Sequence, residues 1–287
     1  MFFKKLKYKY IWERIFVERL CEPIHLNLLS FFIYIFGNLE QKINFDLKIR
    51  FQHAYCLLEA AKQAKKIKKK KITVIEFGVA NGAGLLNIQK LTKEITKYLD
   101  IEFEIFGFDL GKGLPEIQDY RDHPELYSQD DFPMNMKNEL EKKLDTNVHL
   151  VIGDIKDTLL ILNDINLEEC PIGFLSFDMD LYSSTKKSLQ LLNEKPGFFL
   201  PIVYLYFDDL EHSSHNSRSG ELLAIKEFND LNDKRFIEKH TFLKSKRIFQ
   251  RARWIDHVFF LHILDHEARS KKNIPNIKKI VLENPYL

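Results

Sequence analysis

The chain has 287 residues, 45% of them hydrophobic, which is enough to bury a full α/β core with appended segments. Its 43 basic and 41 acidic residues leave a net charge of +2, which argues against a dedicated nucleic-acid binder, since such proteins carry a marked basic excess. Cys21, Cys56 and Cys170 show neither disulfide nor metal spacing, so we expect a reducing, cytoplasmic setting.

The first 70 residues are mainly helical by pattern and precede the first strand. We therefore predict an N-terminal helical extension over residues 1–70 and a sheet domain over residues 71–287. Residues 26–36 are mostly apolar but too few to span a bilayer, and no small-residue cleavage site follows them. We expect this helix to pack on the body of the protein or on a second subunit, with a peripheral membrane contact as the alternative.

From residue 71 onward, short apolar runs alternate with helix-length amphipathic segments, which predicts a parallel sheet covered by helices. The candidate strands are residues 72–77, 103–108, 148–152, 173–177 and 202–207, followed by a late strand within residues 254–264. The first five end near the carboxylates Glu76, Asp109, Asp154, Asp178 and Asp208. Because ligands bind at the carboxyl ends of strands in open α/β sheets, we expect these acids to meet at one edge.

The first strand runs into Glu76-Phe-Gly-Val-Ala-Asn-Gly-Ala-Gly84, where glycines allow a sharp turn and close approach to a ligand at a helix N-terminus. The G-x-x-x-G-x-G spacing fits neither the dinucleotide fingerprint nor the P-loop, so a dehydrogenase is disfavoured. It resembles the motif of S-adenosylmethionine (SAM)-dependent methyltransferases, in which this loop meets the methionine end of the cofactor. The candidate cofactor-binding residues here are Glu76, Gly78, Asn81 and Gly82.

Two later strand ends add candidate cofactor contacts. Asp109 is placed to accept hydrogen bonds from the two ribose hydroxyls, and the alternative is an ordinary turn or helix-capping aspartate. Asp154 is placed to meet the adenine amino group, and capping a helix explains it equally well.

Asp178, Asp208 and Asp209 follow the fourth and fifth strands and form a candidate metal site. Crowded carboxylates repel one another and take up protons unless a cation offsets their charge, and Mg²⁺ prefers carboxylate oxygens. The alternative is a set of separate helix caps. A metal chelated by two neighbouring substrate hydroxyls would make one of them more acidic, so Asp178 is also assigned to catalysis.

Residues 113–140 form a polar segment with three prolines, which is long for a connection in a compact domain. We predict a lid or substrate segment, with a disordered excursion as the alternative. Histidines are natural general bases near neutral pH, and the candidates are His212 and His215 after the aspartate pair and His123 in this segment. Each of them taken singly is more typical of an ordinary loop residue.

Over residues 71–228 the chain resembles the macrocin and mycinamicin O-methyltransferase group of sugar methyltransferases. The matching pieces are Glu-Phe-Gly-Val79, Gly-Phe-Asp109, Gly-Leu-Pro115, Asp157-Thr-Leu159, Asp180-Leu-Tyr-Ser-Ser-Thr185 and Phe-Asp-Asp209. The resemblance implies a Rossmann-like class I methyltransferase with a mostly parallel seven-stranded sheet and helices on both faces. It also implies SAM as methyl donor, Mg²⁺ on Asp178, Asp208 and Asp209, and homo-oligomers in which N-terminal helices form subunit contacts or close the site.

Three positions depart from the related patterns. Met179 replaces the glycine of the usual Asp-Gly-Asp-Leu-Tyr, and Pro201 is expected to open a strand rather than lie within it. Leu181 stands where the more distant catechol O-methyltransferase has a lysine, so that base does not carry over.

We therefore expect a cytoplasmic, SAM-dependent, Mg²⁺-assisted O-methyltransferase acting on a sugar hydroxyl of a nucleotide sugar or glycan precursor, in surface-polysaccharide or natural-product biosynthesis. Two alternatives stay open. One is methylation of a phenol or catechol, and the other is a non-catalytic scaffold of the same fold with a membrane-peripheral N-terminus.

Overall fold

The computed structural model describes residues 12–210 and 216–270, which are built around one seven-stranded sheet. The strands are β1 Lys71–Phe77, β2 Glu102–Asp109, β3 Val148–Ile152, β4 Ile172–Phe177, β5 Phe199–Phe207, β6 Arg235–Lys239 and β7 Val258–Ile263. The strand order is β3-β2-β1-β4-β5-β7-β6, with β1 to β5 parallel and β7 antiparallel to both neighbours. The order reverses between β1 and β4, which is where open α/β sheets bind ligands.

Helices cover both faces of this sheet. They are α1 Ile24–Phe36, α2 Leu39–Asn44, α3 Phe51–Lys66, α4 Ala83–Leu99, α5 Lys137–Glu141, α6 Ile155–Thr158, α7 Tyr182–Ser188, α8 Gly220–Leu231 and α9 Leu243–Lys246. A π-helical turn, Arg14–Arg19, precedes α1. Short 3-10 segments occupy Tyr120–Asp122, Leu159–Asp164, Leu189–Asn193, Pro196–Phe198, Arg253–His257 and Glu267–Arg269.

The central strands are buried on both sides, as expected for parallel strands between two helical layers. In β1 every residue after Lys71 is buried, and successive side chains enter opposite cores. Val74 joins the core beneath α3 and α4, whereas Ile75 joins the core beneath α8. Small residues of α3, namely Ala54, Ala60, Ala61 and Ala64, are fully buried in the first core.

The predicted mostly parallel, helix-covered fold is confirmed, and the strand predictions differ from the structure in three places. The late strand begins only at Val258, because Arg253–His257 forms a 3-10 turn. The edge strand β6 was not predicted; three of its five residues are charged, which weakens the apolar signal. Pro201 is the third residue of β5 rather than its first, and it lies where the register with β4 is irregular, so its missing N–H breaks no ladder bond there.

A buried ion pair attaches the chain before β1 to the loop between β6 and β7. Asp46 accepts a 2.7 Å hydrogen bond from the Arg247 guanidinium, and both side chains are 3% exposed. The same guanidinium donates to the carbonyls of Ile43 and Asn44. The helix α3 that follows packs on the sheet itself, and a domain boundary at residue 70 stays a prediction.

Removing one partner of this pair should destabilise the protein strongly, because the other charge is left buried and uncompensated. We expect Asp46→Ala to lower the free energy of unfolding by about 3 kcal/mol in urea titrations. The matched control is Asp230→Ala, which removes an exposed pair with Lys226 and should cost less than about 1 kcal/mol. Equal losses in the two variants would contradict the anchoring role of Asp46.

Candidate functional site

A row of phenylalanine side chains holds the carboxyl ends of four central strands level. In sheet order these are Phe108, Phe77, Phe177 and Phe207, and adjacent strands pair them directly. All four are buried, with ring centroids 5.6, 5.1 and 4.6 Å apart along the row. The residue that follows each phenylalanine therefore leaves the sheet at the same edge.

Those following residues are Asp109, Gly78, Asp178 and Asp208. The backbone N–H groups of Gly78, Asp178 and Asp208 each donate to the carbonyl of the row phenylalanine on the neighbouring strand, at 2.9, 2.9 and 3.0 Å. Gly78 has φ +82°, and a Cβ on it would lie 1.7 Å from the Asp178 carbonyl oxygen. Only glycine fits this position, so the glycine loop and the fourth strand are in direct contact.

The Asp109 carboxylate holds the glycine loop in place. One oxygen accepts hydrogen bonds from the N–H groups of Val79 and Ala80 at 2.9 and 2.8 Å, and the other accepts from Gly111 at 2.6 Å. A carboxylate offers about four acceptor positions, so these bonds leave room for about one more donor. Asp109 also lines the adjacent cavity, which is where a ribose-binding acid was expected.

Glu76 is buried behind this loop at 2% exposure, and its Oε2 atom has no hydrogen-bond partner. Burial, together with the negative charges of Asp178, Asp109 and Asp208, raises the pKa of Glu76 to about 8. Helix α4 begins against this carboxylate, because a Cβ on Gly84 would lie 1.8 Å from Glu76 Oε1. An unpartnered buried acid beside a ligand-facing loop fits a cationic ligand group.

A cavity of about 290 Å³ opens at the edge of the sheet beside the glycine loop. Its walls include Gly78, Ala80, Phe108, Asp109, Leu114, Pro115, Phe132, Gly153, Asp154, Asp178, Met179, Asp180 and Lys187. Three of the predicted cofactor residues, Gly78, Asp109 and Asp154, lie in these walls. The other three do not.

Glu76 lies behind the loop, whereas Asn81 and Gly82 face the segment over residues 113–140. The Asn81 side-chain oxygen accepts a 3.2 Å hydrogen bond from the Met136 N–H, and Gly82 packs against Leu140. Asn81 and Gly82 therefore connect the loop to that segment rather than to the cavity.

Asp154 caps a helix and also lines the cavity. Its Oδ1 atom caps α6 by accepting a 2.9 Å hydrogen bond from the Lys156 N–H. Its Oδ2 atom pairs with Lys187 at 3.1 Å, and both side chains also line the cavity. Capping therefore does not remove Asp154 from contact with a ligand.

The segment over residues 113–140 lies against the cavity. Its two arms pair through Leu114 N–H to Asp131 oxygen at 2.8 Å and Asp130 N–H to Leu114 oxygen at 2.9 Å. Leu114 and Phe132 contribute apolar wall, and Tyr127 reaches the aspartates of the fourth and fifth strands. The segment therefore borders the candidate site, and its role as a lid or substrate segment stays a prediction.

Asp178, Asp208 and Asp209, called here the acid cluster, lie together as predicted. Each offers a carboxylate oxygen within 4.8 Å of the other two. In the part of the chain that the structure describes, no other group of three or more such side chains could hold a metal ion. Burial and the neighbouring carboxylates raise the pKa values of Asp178 and Asp209, so cation binding or proton uptake must relieve the repulsion.

Three further residues near the acid cluster were not predicted as site residues. The Asp180 N–H donates to Asp209 at 3.0 Å, and burial with the charge of Asp178 raises the pKa of Asp180. Glu221 of α8 is fully buried, and among the described residues neither of its carboxylate oxygens has a hydrogen-bond partner. The Tyr127 hydroxyl lies beside Asp180 and Asp209. Glu221 follows a polar loop at a helix start, a position that ordinary capping acids also occupy.

A second cavity, also of about 290 Å³, borders the acid cluster. Asp208 lines it, and Tyr206 donates a 2.8 Å hydrogen bond to Asp208 Oδ1. The remaining walls are Glu13, Arg14, Glu18, Phe51, Gln52, Arg253, Trp254 and His257. Since Asp178 lines the first cavity and Asp208 the second, the acid cluster borders both.

The structure does not assign any of the three predicted histidines to this site. His212 and His215 lie outside the described residues. His123 is buried, with its Nδ1 2.9 Å from Glu125 Oε1, and lines neither cavity. His257, which was not predicted, lines the second cavity, and its Nδ1 donates to the Phe207 carbonyl at 2.7 Å.

The raised pKa of Glu76 predicts a pH-dependent stability. Between its ordinary pKa near 4.5 and about 8 the unfolded chain is ionised while the folded chain holds the proton, so the free energy of unfolding falls as pH rises. From about pH 5 to about pH 8, wild type should lose on the order of 2 kcal/mol more than Glu76→Gln in urea titrations. The control is Glu227→Gln, a half-buried partner of Lys186 whose carboxyl pKa is lowered rather than raised. The same pH dependence in wild type and Glu76→Gln would disprove the assignment.

No protein-family model and no curated protein sequence matches the chain. Among solved structures, it is similar to CalS11, a calicheamicin methyltransferase, with TM-score 0.50 and 21% identity over 83% of this chain and 91% of that one. NovP, an O-methyltransferase, has TM-score 0.43 and 18% identity over 74% and 80% of the two chains, too low for a structural argument. The likeness to CalS11 establishes the fold: the chain has the Rossmann-like fold of a class I methyltransferase.

Proposed function

We propose that the protein is a SAM-dependent, Mg²⁺-assisted O-methyltransferase whose acceptor is a sugar hydroxyl. The observation that carries this proposal is that the acid cluster borders two cavities, through Asp178 and Asp208. Methyl transfer requires a donor and an acceptor held in line on opposite sides of the reacting carbon, and two cavities that share one cluster are suited to hold them. The methyltransferase fold that the chain shares with CalS11 supports the same reaction class.

The first cavity suits SAM, which supplies an electrophilic methyl group when bound. Glu76 lies behind the glycine loop rather than in the cavity wall, so its negative charge would favour the ammonium of the methionine end without a direct contact. Asp109 retains about one acceptor position, which suits one ribose hydroxyl rather than two. Leu114 and Phe132 offer apolar wall for the adenine ring, and Asp154 offers its edge a carboxylate.

The acid cluster suits a divalent cation with oxygen ligands. Its members are Asp178, half-buried, Asp208, exposed, and Asp209, buried. With Asp180 and Glu221 nearby, this edge holds five carboxylates whose mutual repulsion a cation would lower. A bound cation would also lower the pKa of an acceptor hydroxyl.

The second cavity suits a sugar better than a flat phenol. The rings of Phe51 and Trp254, whose centroids are 5.7 Å apart and tilted by 49°, offer apolar surface to the C–H face of a pyranose. Gln52, Arg253 and Asp208 line the same cavity and can bond hydroxyls around the ring. A phenol offers too few polar groups to satisfy these side chains.

The general base stays open in this proposal. His257 lines the second cavity, whereas His212 and His215 follow the acid cluster in sequence outside the described residues. The acceptor is proposed to be a nucleotide sugar or glycan precursor, in line with the resemblance to sugar methyltransferases. The buried thiols of Cys56 and Cys170 are free, which agrees with a reducing compartment such as the cytoplasm.

SAM and S-adenosylhomocysteine should both bind the purified protein saturably in calorimetric titrations. Asp109→Ala should weaken this binding by at least about tenfold, because it removes both the loop anchor and a ribose contact. The matched control is Asp230→Ala, an exposed residue that pairs with Lys226 and lines neither cavity. If the folded wild-type protein bound neither nucleoside, the result would contradict the SAM proposal and favour the non-catalytic scaffold.

Turnover should depend on the acid cluster. With nucleotide-sugar acceptors and Mg²⁺, Asp208→Ala should abolish release of S-adenosylhomocysteine. The affinity of the variant for SAM should stay within about threefold of wild type. The control Asp230→Ala should retain full activity. Undiminished turnover of Asp208→Ala, or of wild type in excess chelator, would refute the metal role. Turnover with catechols and not with nucleotide sugars would refute the acceptor class alone.

A further inference from the structure

Helix α1 exposes an unusual amount of apolar surface. Eight of its 13 residues are large hydrophobic side chains between 43% and 76% exposed, namely Ile24, Leu28, Leu29, Phe31, Phe32, Tyr34, Ile35 and Phe36. The segment just before it exposes Trp12, Phe16, Val17 and Leu20 in the same way. We call the exposed side chains of residues 12–36 the N-terminal apolar surface.

Only a narrow side of α1 faces the rest of the protein. Ile33 packs with Phe45 and Phe249, and Ser30 accepts a 2.9 Å hydrogen bond from Arg19. At 3.6 residues per turn, the eight exposed side chains cover about 220° of the helix circumference. Helix α1 is therefore a convex ridge, with apolar groups over most of its circumference.

We infer that the N-terminal apolar surface docks on the surface of an anionic lipid bilayer. Helix α1 carries no Asp, Glu, Lys or Arg, and four of its eight exposed apolar side chains are aromatic, namely Phe31, Phe32, Tyr34 and Phe36. Exposed Trp12 and Phe16 in the preceding segment add two more aromatic rings, and this composition is typical of membrane interfaces. The 11 residues that precede the described chain contain four lysines and no acid. A basic segment beside an apolar one favours anionic lipid.

The contact is peripheral rather than spanning. Among the described residues, no helix combines the length and the apolar character needed to cross a membrane. With 13 residues, α1 is about 20 Å long, short of the roughly 30 Å hydrocarbon core. A helix of this kind lies in the plane of the interface with its apolar groups among the acyl chains.

A bilayer fits this ridge better than a second copy of the chain does. A helix packed against a protein partner usually buries a stripe of about 100°, so covering 220° requires a deep apolar groove on the partner. Neither cavity at the acid cluster offers such a groove, and a third cavity, lined by Lys68 to Lys71, does not offer one either. Lipid, in contrast, conforms to a convex surface.

The test is co-sedimentation of the full chain with vesicles, either neutral phosphatidylcholine or the same lipid with roughly 30% phosphatidylglycerol. The wild type should bind both, and more tightly to the anionic vesicles, with the difference removed by about 0.5 M NaCl. The variant Leu28→Ser/Phe31→Ser should lose at least about tenfold in partitioning to both. The matched control, Leu231→Ser/Phe242→Ser, removes two equally exposed apolar side chains elsewhere and should bind like wild type.

Two results would overturn the inference. One is that the wild type stays in the supernatant with every vesicle. Light scattering would then show whether it forms an oligomer. Dissociation of that oligomer by Leu28→Ser/Phe31→Ser would assign the surface to a second copy of the chain. The other is equal loss of vesicle binding in the test and control variants. Titration of SAM into the same preparations keeps this inference separate from the catalytic proposal, since the four substituted side chains line neither cavity.

Discussion

The register of four parallel strands is the constraint on which the candidate site depends. Because Phe108, Phe77, Phe177 and Phe207 stack in one buried row, the residue after each of them must emerge at the same edge. That register places Asp109, Asp178 and Asp208 at the edge where the glycine loop begins at Gly78. A shift of one residue in any strand would turn its acid toward the opposite face and separate the group.

Crowding of the acids destabilises the folded chain, because only some of the carboxylates have hydrogen-bond partners. Backbone N–H groups satisfy the Asp109 carboxylate with hydrogen bonds. Glu76 and Glu221, in contrast, are buried with carboxylate oxygens that no described residue bonds. Folded proteins rarely leave buried acids in this state without a functional reason. A cationic ammonium beside Glu76 and a divalent cation at the acid cluster would each supply the missing charge, and the proposed cofactors carry both.

Much of this arrangement was predictable from the sequence, for identifiable reasons. Buried parallel strands are short apolar runs, so the five central strands could be located, and strand ends in an open sheet share an edge, so the acids could be grouped. The edge strand β6 and the buried Glu221 were not predicted, because their local sequences resemble ordinary surface segments. The second cavity was not predictable for a different reason. Its lining residues Phe51, Asp208 and Trp254 are far apart in sequence, and only the packing of the N-terminal segment and the last turns beside β5 brings them together.

The N-terminal segment links the two proposals. The turn that contains Arg14 and Glu18 lines the second cavity, and the same turn exposes Phe16 and Val17 as part of the N-terminal apolar surface. Membrane docking would therefore hold the proposed acceptor cavity near the bilayer, whatever the acceptor is.

The central claim, that a divalent cation separates a SAM site from an acceptor site, is tested most directly by anomalous diffraction from crystals grown with Mn²⁺ and S-adenosylhomocysteine. The account predicts one anomalous peak within bonding distance of Asp178, Asp208 and Asp209, with the nucleoside in the cavity lined by Asp109 and Asp154. Nucleoside bound there without a metal peak at the acid cluster, or a metal bound elsewhere, would contradict it.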